Sequence, residues 1–420
     1  MRTTLRTVFI MPFLLLLLLL GLGCSSDDDD NDKITGPSLS APEISETTPG
    51  EGRIGSTTLV TLRGSGLSEL TASSDRIGLS FEMVTQQDTI ATVNVTIGPE
   101  ALPASASIIL TNSEGRDTVG FLVRPASLAG MTWSNGPDLP TARYGLAAVA
   151  VQGKIYVLGG ADSQNNAVTT VDILNPDDNT WMTGPALPSA RYFHSAVVLD
   201  DKIYVMGGVS GQTILNSFDY LDTGTNTWTN LQSTPTYRYG AGAGASGGKV
   251  YIVGGMGADA LTPATESFDL ATNSWTTLAS MPIARRFFGA VPVNDRVYAI
   301  GGDDTQIYMA TSQFFSTDAN TWSTTIAMPT ARRFMGACIF LGNIVVVGGE
   351  LSSNNAAAST TVVEAMSLES NTWSTVTALP DGRDTHAVVA ADGKLYVIGG
   401  GKIDGQNYTL STTTLIGQMP

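Results

Sequence analysis

Short apolar runs alternate with polar turns over most of the chain, and the pattern recurs. Between Trp181 and Trp228, the run HSAVVL precedes a polar Asp200-Asp201 pair, KIYVMGG follows it, and SFDYLD alternates apolar and polar residues. Runs this short, and this rich in Val, Ile and Tyr, predict strands rather than helices. Two runs across a tight turn indicate a hairpin, and the Trp segment supplies a fourth strand. Each unit is therefore predicted to be a four-stranded antiparallel sheet.

Six copies of this unit have the same marker residues at nearly the same spacing. The Gly-Gly pairs begin at Gly159, Gly207, Gly254, Gly301, Gly348 and Gly399, and the Trp residues are Trp133, Trp181, Trp228, Trp275, Trp322 and Trp373. Both series advance by 48, 47, 47, 47 and 51 residues. Each Trp precedes a Pro by 7 residues and an Arg by 10, and that Arg precedes Gly-Gly by 16. Such a period indicates a repeat architecture, and four-stranded units of this kind are propeller blades.

The hydrophobic run, the Gly-Gly pair and the spaced aromatic residues resemble kelch repeats over about residues 131–420. A Tyr recurs three residues before Gly-Gly in five units, and Val345 is the one departure. Large aromatic side chains with a polar tip suit packing between blades. The resemblance implies an all-β fold with a six-bladed kelch β-propeller, expected to span residues 126–420.

The order of the elements predicts how the ring closes. Trp133 precedes the first hairpin, whereas one strand near Tyr408–Ile416 and no Trp follow the last Gly-Gly pair. Residues 131–136 are therefore expected to supply the missing outer strand of the last blade. This pairing would join the two ends of the ring and remove an open sheet edge.

Residues 41–125 are predicted to be a separate unit ahead of the propeller. The segments LVTLRGSGL and VTIGPEALPASASIILTNSEG, with Pro42 and Pro49 before them, resemble an IPT/TIG immunoglobulin-like domain. Alternating strands separated by Gly, Pro and Ser fit a small β-sandwich. The resemblance implies a spacer or an interaction module.

The N-terminus is predicted to be an export signal over residues 1–23, with two Arg residues before a Leu-rich run. The sequence Gly21-Leu22-Gly23-Cys24 resembles a bacterial lipoprotein cleavage site, which implies lipid on Cys24. Residues 24–40 contain SSDDDDND and are expected to be an acidic flexible tether. Such a run after the lipidated Cys resembles a surface-export signal, so we expect anchoring to the outer membrane with exposure at the surface.

Charge and cysteine content exclude some functions. The formal net charge is −16 and becomes −18 once residues 1–23 with their two Arg are removed. This argues against a nucleic-acid partner, whose phosphates require basic surfaces. With Cys24 lipidated, Cys338 is the only remaining thiol, so no internal disulfide is possible. Its apolar surroundings (GACIF) indicate a buried core residue.

One Arg recurs in every unit, at Arg143, Arg191, Arg238, Arg285, Arg332 and Arg383. Identical positions serve a common fold, so we expect each Arg to pair with carbonyls or acids of the next blade. The two positions after it vary, and in kelch propellers this segment lines the mouth of the central channel. The predicted ligand-binding residues are Tyr144, Tyr192, Phe193, Tyr239, Arg286, Phe287, Arg333, Phe334 and Asp384, with Asp303, Glu350 and His386 as a further rim.

Aromatic faces with a few fixed charges suit a sugar ring, including an acidic one, because Arg can hold a carboxylate in a bidentate way. The alternative is that Tyr and Phe only pack the channel wall. His194 and His386 share a repeat position, where packing is the simpler interpretation. Galactose oxidase has a similar fold and binds copper through two Tyr, two His and a Cys cross-linked to Tyr. This chain has only two His, so we expect no metal, no cofactor and no catalytic residue set of that kind.

The leading interpretation is a lipid-anchored protein whose propeller mouth binds a glycan or a protein ligand. A second interpretation is an enzyme that resembles the six-bladed bacterial sialic-acid mutarotase. It would use Glu350, Asp384, His386, Arg286 and Arg333 as acid, base and anion-binding groups. A third is a scaffold whose blades only bind other proteins.

Overall fold

A computed structural model of the chain describes residues 39–353 and 356–420. Ser40–Pro420 form one compact unit, and all regular elements in the described part are strands. The predicted export signal and Cys24 lie outside the described residues, as does nearly all of the predicted tether. None of the described residues belongs to a helix long and apolar enough to cross a membrane.

The N-terminal part is a sandwich of two four-stranded sheets. The first sheet has the order β1 (Glu43–Thr48), β3 (Thr57–Ser65), β6 (Ile90–Ile97) and β5 (Leu79–Gln87). The second has the order β2 (Glu51–Arg53), β8 (Gly115–Arg124), β7 (Ala104–Asn112) and β4 (Thr71–Ser74). Side chains alternate between the two faces of each strand, so Val60, Leu62, Val93 and Ile108 are buried between the sheets. This is the small β-sandwich expected from the sequence.

The described residues after the sandwich form six four-stranded antiparallel sheets, which are the six blades of a propeller, and three short hairpins. Blade 1 has β10 (Ala147–Val151), β11 (Lys154–Leu158), β12 (Val171–Asn175) and β13 (Thr180–Thr183). Blade 2 has β14 (Ser195–Leu199), β15 (Lys202–Met206), β18 (Phe218–Asp222) and β19 (Thr227–Asn230). Blade 3 has β20 (Gly242–Ser246), β21 (Lys249–Val253), β22 (Thr265–Asp269) and β23 (Ser274–Leu278).

The remaining blades repeat this arrangement. Blade 4 has β24 (Gly289–Val293), β25 (Arg296–Ile300), β26 (Ser312–Ser316) and β27 (Thr321–Thr325). Blade 5 has β28 (Gly336–Phe340), β29 (Asn343–Val347), β32 (Val363–Ser367) and β33 (Trp373–Thr375). Blade 6 has β34 (Ala387–Ala391), β35 (Lys394–Ile398), β38 (Thr414–Gln418) and β9 (Thr132–Asn135).

Three short hairpins extend from the loops that follow Gly-Gly. They are β16 (Val209–Ser210) with β17 (Thr213–Ile214), β30 (Glu350–Ser353) with β31 (Ala356–Ser359), and β36 (Gly401–Asp404) with β37 (Asn407–Leu410). The hairpins of blades 5 and 6 touch, since the Ile403 backbone N–H donates to the Ser359 hydroxyl over 2.8 Å. The longer spacing after Gly348 in the sequence corresponds to the hairpin of blade 5.

The burial pattern explains which strands are apolar and which are polar in sequence. The second strand of each blade is almost wholly apolar and buried, as in Ile203–Met206, because both faces of the sheet pack against neighbouring blades. The fourth strand is mostly exposed and polar except for its Trp. In blade 2, Ile203, Leu221 and Trp228 align across three strands and form one row of the core.

The predicted ring closure is confirmed. Strand β9 pairs with β38 in blade 6, with Trp133 opposite Gly417. The Trp133 Nε1–H donates to the Thr377 carbonyl over 2.9 Å, so β9 also contacts blade 5. One detail is corrected: Tyr408 does not belong to the last strand, because the chain first forms the β36–β37 hairpin.

Indole groups connect neighbouring blades, as expected. The Trp181, Trp228 and Trp322 Nε1–H groups donate to the carbonyls of Pro137, Pro185 and Ala279, each located in the loop after the preceding blade's outer strand. The Gly-Gly pair allows a close approach at the same boundary. A Cβ on Gly159 (φ 56°) would lie 2.5 Å from the Arg191 carbonyl oxygen of the next blade, so only Gly fits there.

The recurring Arg residues are structural, but the expectation that they pair with the next blade is wrong. Each is 5 % exposed or less. The Arg143 side chain donates to the Gly159 carbonyl and to Asp172 at 2.8 Å in both cases, and both partners belong to its own blade. Arg191 and Asp219, Arg238 and Glu266, and Arg332 and Glu364 repeat this ion pair. The link to the next blade is made by backbone, as when Gly160 N–H donates to the Arg191 carbonyl over 2.9 Å.

The sandwich contacts the end of the propeller opposite to these Arg loops. Its Ile54 packs with Phe340 and Leu341, which lie at the turn between β28 and β29. The Ala126 N–H donates to the Leu341 carbonyl over 3.0 Å, and the Asn343 side chain donates to the Ala126 carbonyl over 3.1 Å. One continuous apolar cluster therefore includes core residues of the sandwich and of blades 5 and 6.

Candidate functional site

The residue after each recurring Arg lies at the mouth of the central channel and pairs with the residue after Gly-Gly of the same blade. These backbone bridges join Tyr144 to Ala161, Tyr192 to Val209, Tyr239 to Met256, Arg286 to Asp303, Arg333 to Glu350 and Asp384 to Gly401. We call these six pairs the mouth pairs. Blades 1–3 contribute a Tyr opposite an apolar residue, whereas blades 4–6 contribute charged side chains. The mouth is therefore divided into an aromatic half and a charged half.

The next residue of each blade belongs to a closed ring of backbone hydrogen bonds. All six residues have φ between 51° and 61°, in the left-handed region: Gly145, Phe193, Gly240, Phe287, Phe334 and Thr385. Each N–H donates to the carbonyl of the equivalent residue in the preceding blade over 2.8–3.0 Å, and Gly145 closes the ring onto Thr385. The ring holds Phe193, Phe287, Phe334 and Thr385 in a backbone conformation that is unfavourable for residues other than Gly, and it thereby positions their side chains at the channel.

Three Phe side chains of this ring meet at the centre. The ring centroids of Phe287 and Phe334 are 4.2 Å apart, and Phe193 lies 4.8 Å from Phe287 and 5.6 Å from Phe334. Contacts at these distances stabilise aromatic clusters. A cavity of about 150 Å³ is lined by this ring and by the following residues, which include His194 and His386. The Phe cluster therefore forms a floor under the mouth.

The charged half contains a chain of ion pairs. Arg286 Nε lies 3.0 Å from Asp303 Oδ1, and Arg333 Nη1 lies 3.3 Å from Asp303 Oδ2. Arg333 also binds Glu350, with Nη2 2.9 Å from Oε1. The Tyr308 hydroxyl donates to the same Glu350 oxygen. Both carboxylates are buried, at 1 % and 4 % exposure, while the Arg side chains are 18 % and 23 % exposed.

Asp384 has a different environment from the other two carboxylates. Its oxygens accept hydrogen bonds from the Ser359 hydroxyl and, over 3.0 Å, from the Tyr408 hydroxyl. No Lys or Arg of the described part forms a salt bridge with it. Burial raises the pKa of the Asp384 carboxyl to about 6, although the hydroxyl donors act in the opposite direction. A carboxyl that exchanges its proton near neutral pH is suited to acid–base chemistry.

The aromatic half is a row of edge-to-face Tyr contacts. The centroid of the Tyr144 ring lies 5.6 Å from that of Tyr192 and 5.9 Å from that of Tyr408. Tyr408 belongs to the hairpin of blade 6 and extends the row of aromatic rings on that side. The Tyr144 hydroxyl donates to Asn165 Oδ1 over 2.8 Å. Burial raises the pKa of Tyr144 to about 12, so its hydroxyl stays protonated. These rings present apolar faces and polar edges to the mouth.

The structure places His386 below the mouth pairs, where it lines the cavity in the channel. It is 6 % exposed, and a Cβ on Gly348 of blade 5 would lie 2.8 Å from its Cε1. His194 packs in the same way against Gly159 of blade 1. Burial lowers the pKa of both imidazoles to about 3, so they are neutral packing groups. Within residues 39–353 and 356–420, no three His, Cys, Asp or Glu side chains form a cluster that could hold a metal ion.

Cys338 also has a packing role. Its side chain contacts the apolar cluster shared by the sandwich and blades 5 and 6, and it is partly buried. Burial raises the pKa of its thiol to about 12, so the reactive thiolate is disfavoured.

The structure brings the other predicted site residues together but changes the environment of two of them. The sequence assigns Arg286 and Arg333 to ligand binding, and in the structure Asp303 and Glu350 form ion pairs with them. Sequence reasoning missed Tyr308, Tyr408 and Ser359. They come from the loops after Gly-Gly, whose length varies between blades, and the extra residues after Gly348 were the only signal in that region.

The family model described as KLHDC2/KLHL20/DRC7 Kelch-repeats domain matches residues 122–302, and the Kelch motif model matches residues 331–380. The solved structure of YjhT is similar in fold, with a TM-score of 0.58 at 17 % sequence identity. That likeness covers 66 % of this chain and 95 % of YjhT. No curated protein matches the chain. The repeats and the fold agree that the chain contains a six-bladed kelch β-propeller.

Proposed function

We propose that this is a binding protein whose propeller mouth holds a carbohydrate. The observation that carries the proposal is the division of the mouth into an aromatic and a charged half. Sugar rings have apolar C–H faces that stack on Tyr rings and hydroxyls that need polar partners. The row of Tyr144, Tyr192 and Tyr239 faces a side where Arg286 and Arg333 are partly exposed. Buried carboxylates hold both Arg side chains in place. Such a mouth matches both kinds of sugar surface at once.

The floor of the mouth supports the same proposal. The ring of backbone hydrogen bonds and the Phe193–Phe287–Phe334 cluster close the channel directly below the mouth pairs. A ligand would be held at the end of the propeller rather than threaded through it. A rigid bowl of this kind loses little conformational entropy when it binds a ligand.

The position of the sandwich supports display of the mouth. Ile54 and Leu341 join the sandwich to the propeller face opposite the mouth. With lipid on Cys24 and a tether over residues 24–40, the protein would be anchored to the bacterial outer membrane, and the sandwich would leave the propeller mouth uncovered. The IPT/TIG-like unit would then be a spacer. Radiolabelled palmitate should enter the wild-type protein but not Cys24→Ala, which should also leave the membrane fraction.

Asp384 favours a second candidate function, a sugar mutarotase-like activity. Such an enzyme needs an acid and a base near one pocket, and a buried carboxyl with a pKa raised to about 6 can serve as either. Glu350, which is paired with Arg333, also raises the pKa of Asp384 by charge repulsion, so it is the candidate for the second carboxyl. Exchange between sugar anomers, followed by NMR, should be accelerated by the wild type and not by Asp384→Asn if this activity exists.

A glycan array probed with the full-length protein tests the binding function. Tyr144→Ala combined with Tyr192→Ala should weaken binding by about tenfold or more, since stacked aromatic groups dominate such sites. Tyr237→Ala is the matched control, because Tyr237 is 55 % exposed and lies outside the six mouth pairs. If no glycan binds the wild type, or if the double variant binds as well as the control, the proposal is wrong.

A further inference from the structure

The two cations of the mouth occupy the same position in adjacent blades but differ in the donors they have left. Arg333 Nε and Nη2 donate to Glu350 Oε1 at 3.2 and 2.9 Å, and its Nη1 donates to Asp303 Oδ2 at 3.3 Å. All three of its nitrogens are therefore bonded to carboxylates. Arg333 is thus a fixed part of the charged network.

Arg286 keeps one edge of its guanidinium group free. Its Nε donates to Asp303 Oδ1 at 3.0 Å, and its Nη1 reaches the Tyr239 hydroxyl only at 3.5 Å, which is a weak hydrogen bond. Its Nη2 donates to no residue within 39–353 and 356–420, and this nitrogen is not buried. The side chain is 18 % exposed. The edge formed by Nη1 and Nη2 is therefore available to a ligand in the mouth.

The Tyr239 hydroxyl lies beside this edge and adds another donor. It accepts the weak bond from Arg286, and its own O–H donates to none of the described residues. The Tyr239 ring centroid lies 5.9 Å from that of Phe287, and the Arg286 guanidinium carbon lies 5.0 Å from the same Phe287 centroid. Both groups therefore lie against one residue of the Phe floor, which keeps them together.

The charge that a ligand meets at the mouth is positive. Asp303, Glu350 and Asp384 are buried, whereas the Arg286 and Arg333 side chains are partly exposed. The carboxylates hold the guanidinium groups without reaching the surface themselves. Asp303 bonds to the Nε of Arg286, so it orients the free edge without blocking it. Such fixed donors lose little freedom when a ligand binds.

We propose that Arg286 and Tyr239 form a subsite for the carboxylate of an acidic sugar, such as a uronic acid. A carboxylate is planar, and its two oxygens match the two parallel N–H donors on one edge of an Arg. The Tyr239 hydroxyl can donate to one of the same oxygens. The subsite rests on the proposed function, because it assumes that the mouth holds a sugar.

The position of the subsite also suits a sugar that is both apolar and charged. Arg286 belongs to blade 4 and Tyr239 to blade 3, so the subsite lies where the charged half meets the aromatic half. A carboxylate held there leaves the attached ring next to the Tyr residues of blades 1–3. The ring can stack on them while the carboxylate is bound.

Matched pairs of sugars test the subsite: methyl glucuronide with methyl glucoside, and methyl galacturonide with methyl galactoside. The members of a pair differ only in a carboxylate in place of a hydroxymethyl group. In titrations of the full-length wild type, the acidic member should bind at least about tenfold more tightly, as expected for hydrogen bonds to a charged group. Methyl glucoside 6-sulfate, whose anion is not planar, should bind less tightly than the glucuronide.

Three variants assign the preference to one side chain. Arg286→Gln should reduce it to less than about threefold, and Asp303 would keep Arg333 and the Thr305 N–H as partners. Arg286→Lys keeps the charge but not the paired donors, so an intermediate preference is expected. Arg296→Gln is the matched control, because Arg296 is an exposed Arg at the opposite end of blade 4. It should retain the preference of the wild type.

A wild type that binds both members of each pair equally, or prefers the neutral member, overturns the subsite while the proposed function stands. So does an Arg286→Gln variant that keeps the full preference, or tighter binding of the sulfate than of the glucuronide. If no sugar of the pairs and no glycan of the array binds, the proposed function itself is wrong. If Arg286→Gln fails to fold, the comparison of Arg286→Lys with the wild type decides.

Discussion

The two halves of the mouth share one backbone and differ in chemistry. In blades 1–3 the bridged residues are Tyr144 with Ala161, Tyr192 with Val209 and Tyr239 with Met256. In blades 4 and 5 the same bridge joins Arg286 to Asp303 and Arg333 to Glu350, and in blade 6 it joins Asp384 to Gly401. The repeat thus fixes the position of each mouth residue through a backbone bridge, while the side chain differs from blade to blade. The chemistry of the mouth therefore depends on which blade carries which residue.

The largest effect is expected from removing the cation shared by the charged half. Arg333→Ala leaves Asp303 with Arg286 and the Thr305 backbone N–H, and leaves the Glu350 side chain with only the Tyr308 hydroxyl. The free energy of unfolding should fall by about 3 kcal/mol, because buried carboxylates lose their counter-charge. Urea denaturation measures this, with Arg333→Lys as a control that keeps the charge and should lose less. Equal stability of Arg333→Ala and the wild type would show that the network is solvated.

The second-largest effect is a pH-dependent change in stability that Asp384 causes. Its pKa rises from 3.8 to about 6 in the folded protein, so folding favours the protonated carboxyl. The wild type should therefore lose stability as pH rises from about 4 to about 6. Asp384→Asn should be more stable than the wild type by roughly 2–3 kcal/mol at pH 7, and the gain should vanish near pH 4. Urea denaturation across this pH range is the measurement, and parallel pH profiles for the two proteins would contradict the prediction.

A smaller effect is expected from one hydroxyl of the charged half. Tyr308→Phe removes the donor to Glu350, which lies in a buried ion pair. A hydrogen bond to a charged group contributes about 1.5 kcal/mol or more, so the free energy of unfolding should fall by roughly that amount. Burial raises the pKa of Tyr308 well above its ordinary value, so its hydroxyl remains a donor across the usual pH range. A change below the error of thermal and urea unfolding would indicate that water replaces this bond.

The smallest effect is expected from the matching change in the aromatic half. Tyr144→Phe removes a hydroxyl that donates to the exposed Asn165 side chain. Water can replace such a bond, so stability should change by less than about 0.5 kcal/mol. The contrast with Tyr308→Phe, measured under the same conditions, tests directly whether the two halves differ as their burial indicates. Similar losses for both variants would remove the distinction.

Two neighbouring residues in blade 5 show which features of the site can be predicted from the sequence. Arg332 recurs at a fixed distance from Trp and Gly-Gly, so a structural role was predictable, although its pairing within its own blade was not. Arg333 breaks the Tyr pattern, so its place at the mouth was predictable too. Its partners were not, because Asp303 belongs to blade 4 and Tyr308 comes from a loop with no fixed spacing.

The sequence alone determined the six blades, the closing strand at Trp133, the sandwich and the six mouth residues that follow the recurring Arg. The constant spacing makes these features predictable, because every repeat must bury the same apolar positions against its neighbours. Only the tertiary structure decided that Arg286 and Arg333 are paired, that Asp384 lies among hydroxyls and that His386 is below the rim. Charge pairing and burial depend on side chains from different blades. The closed ring sets the distances between these side chains, so the spacing of residues along the chain does not predict them.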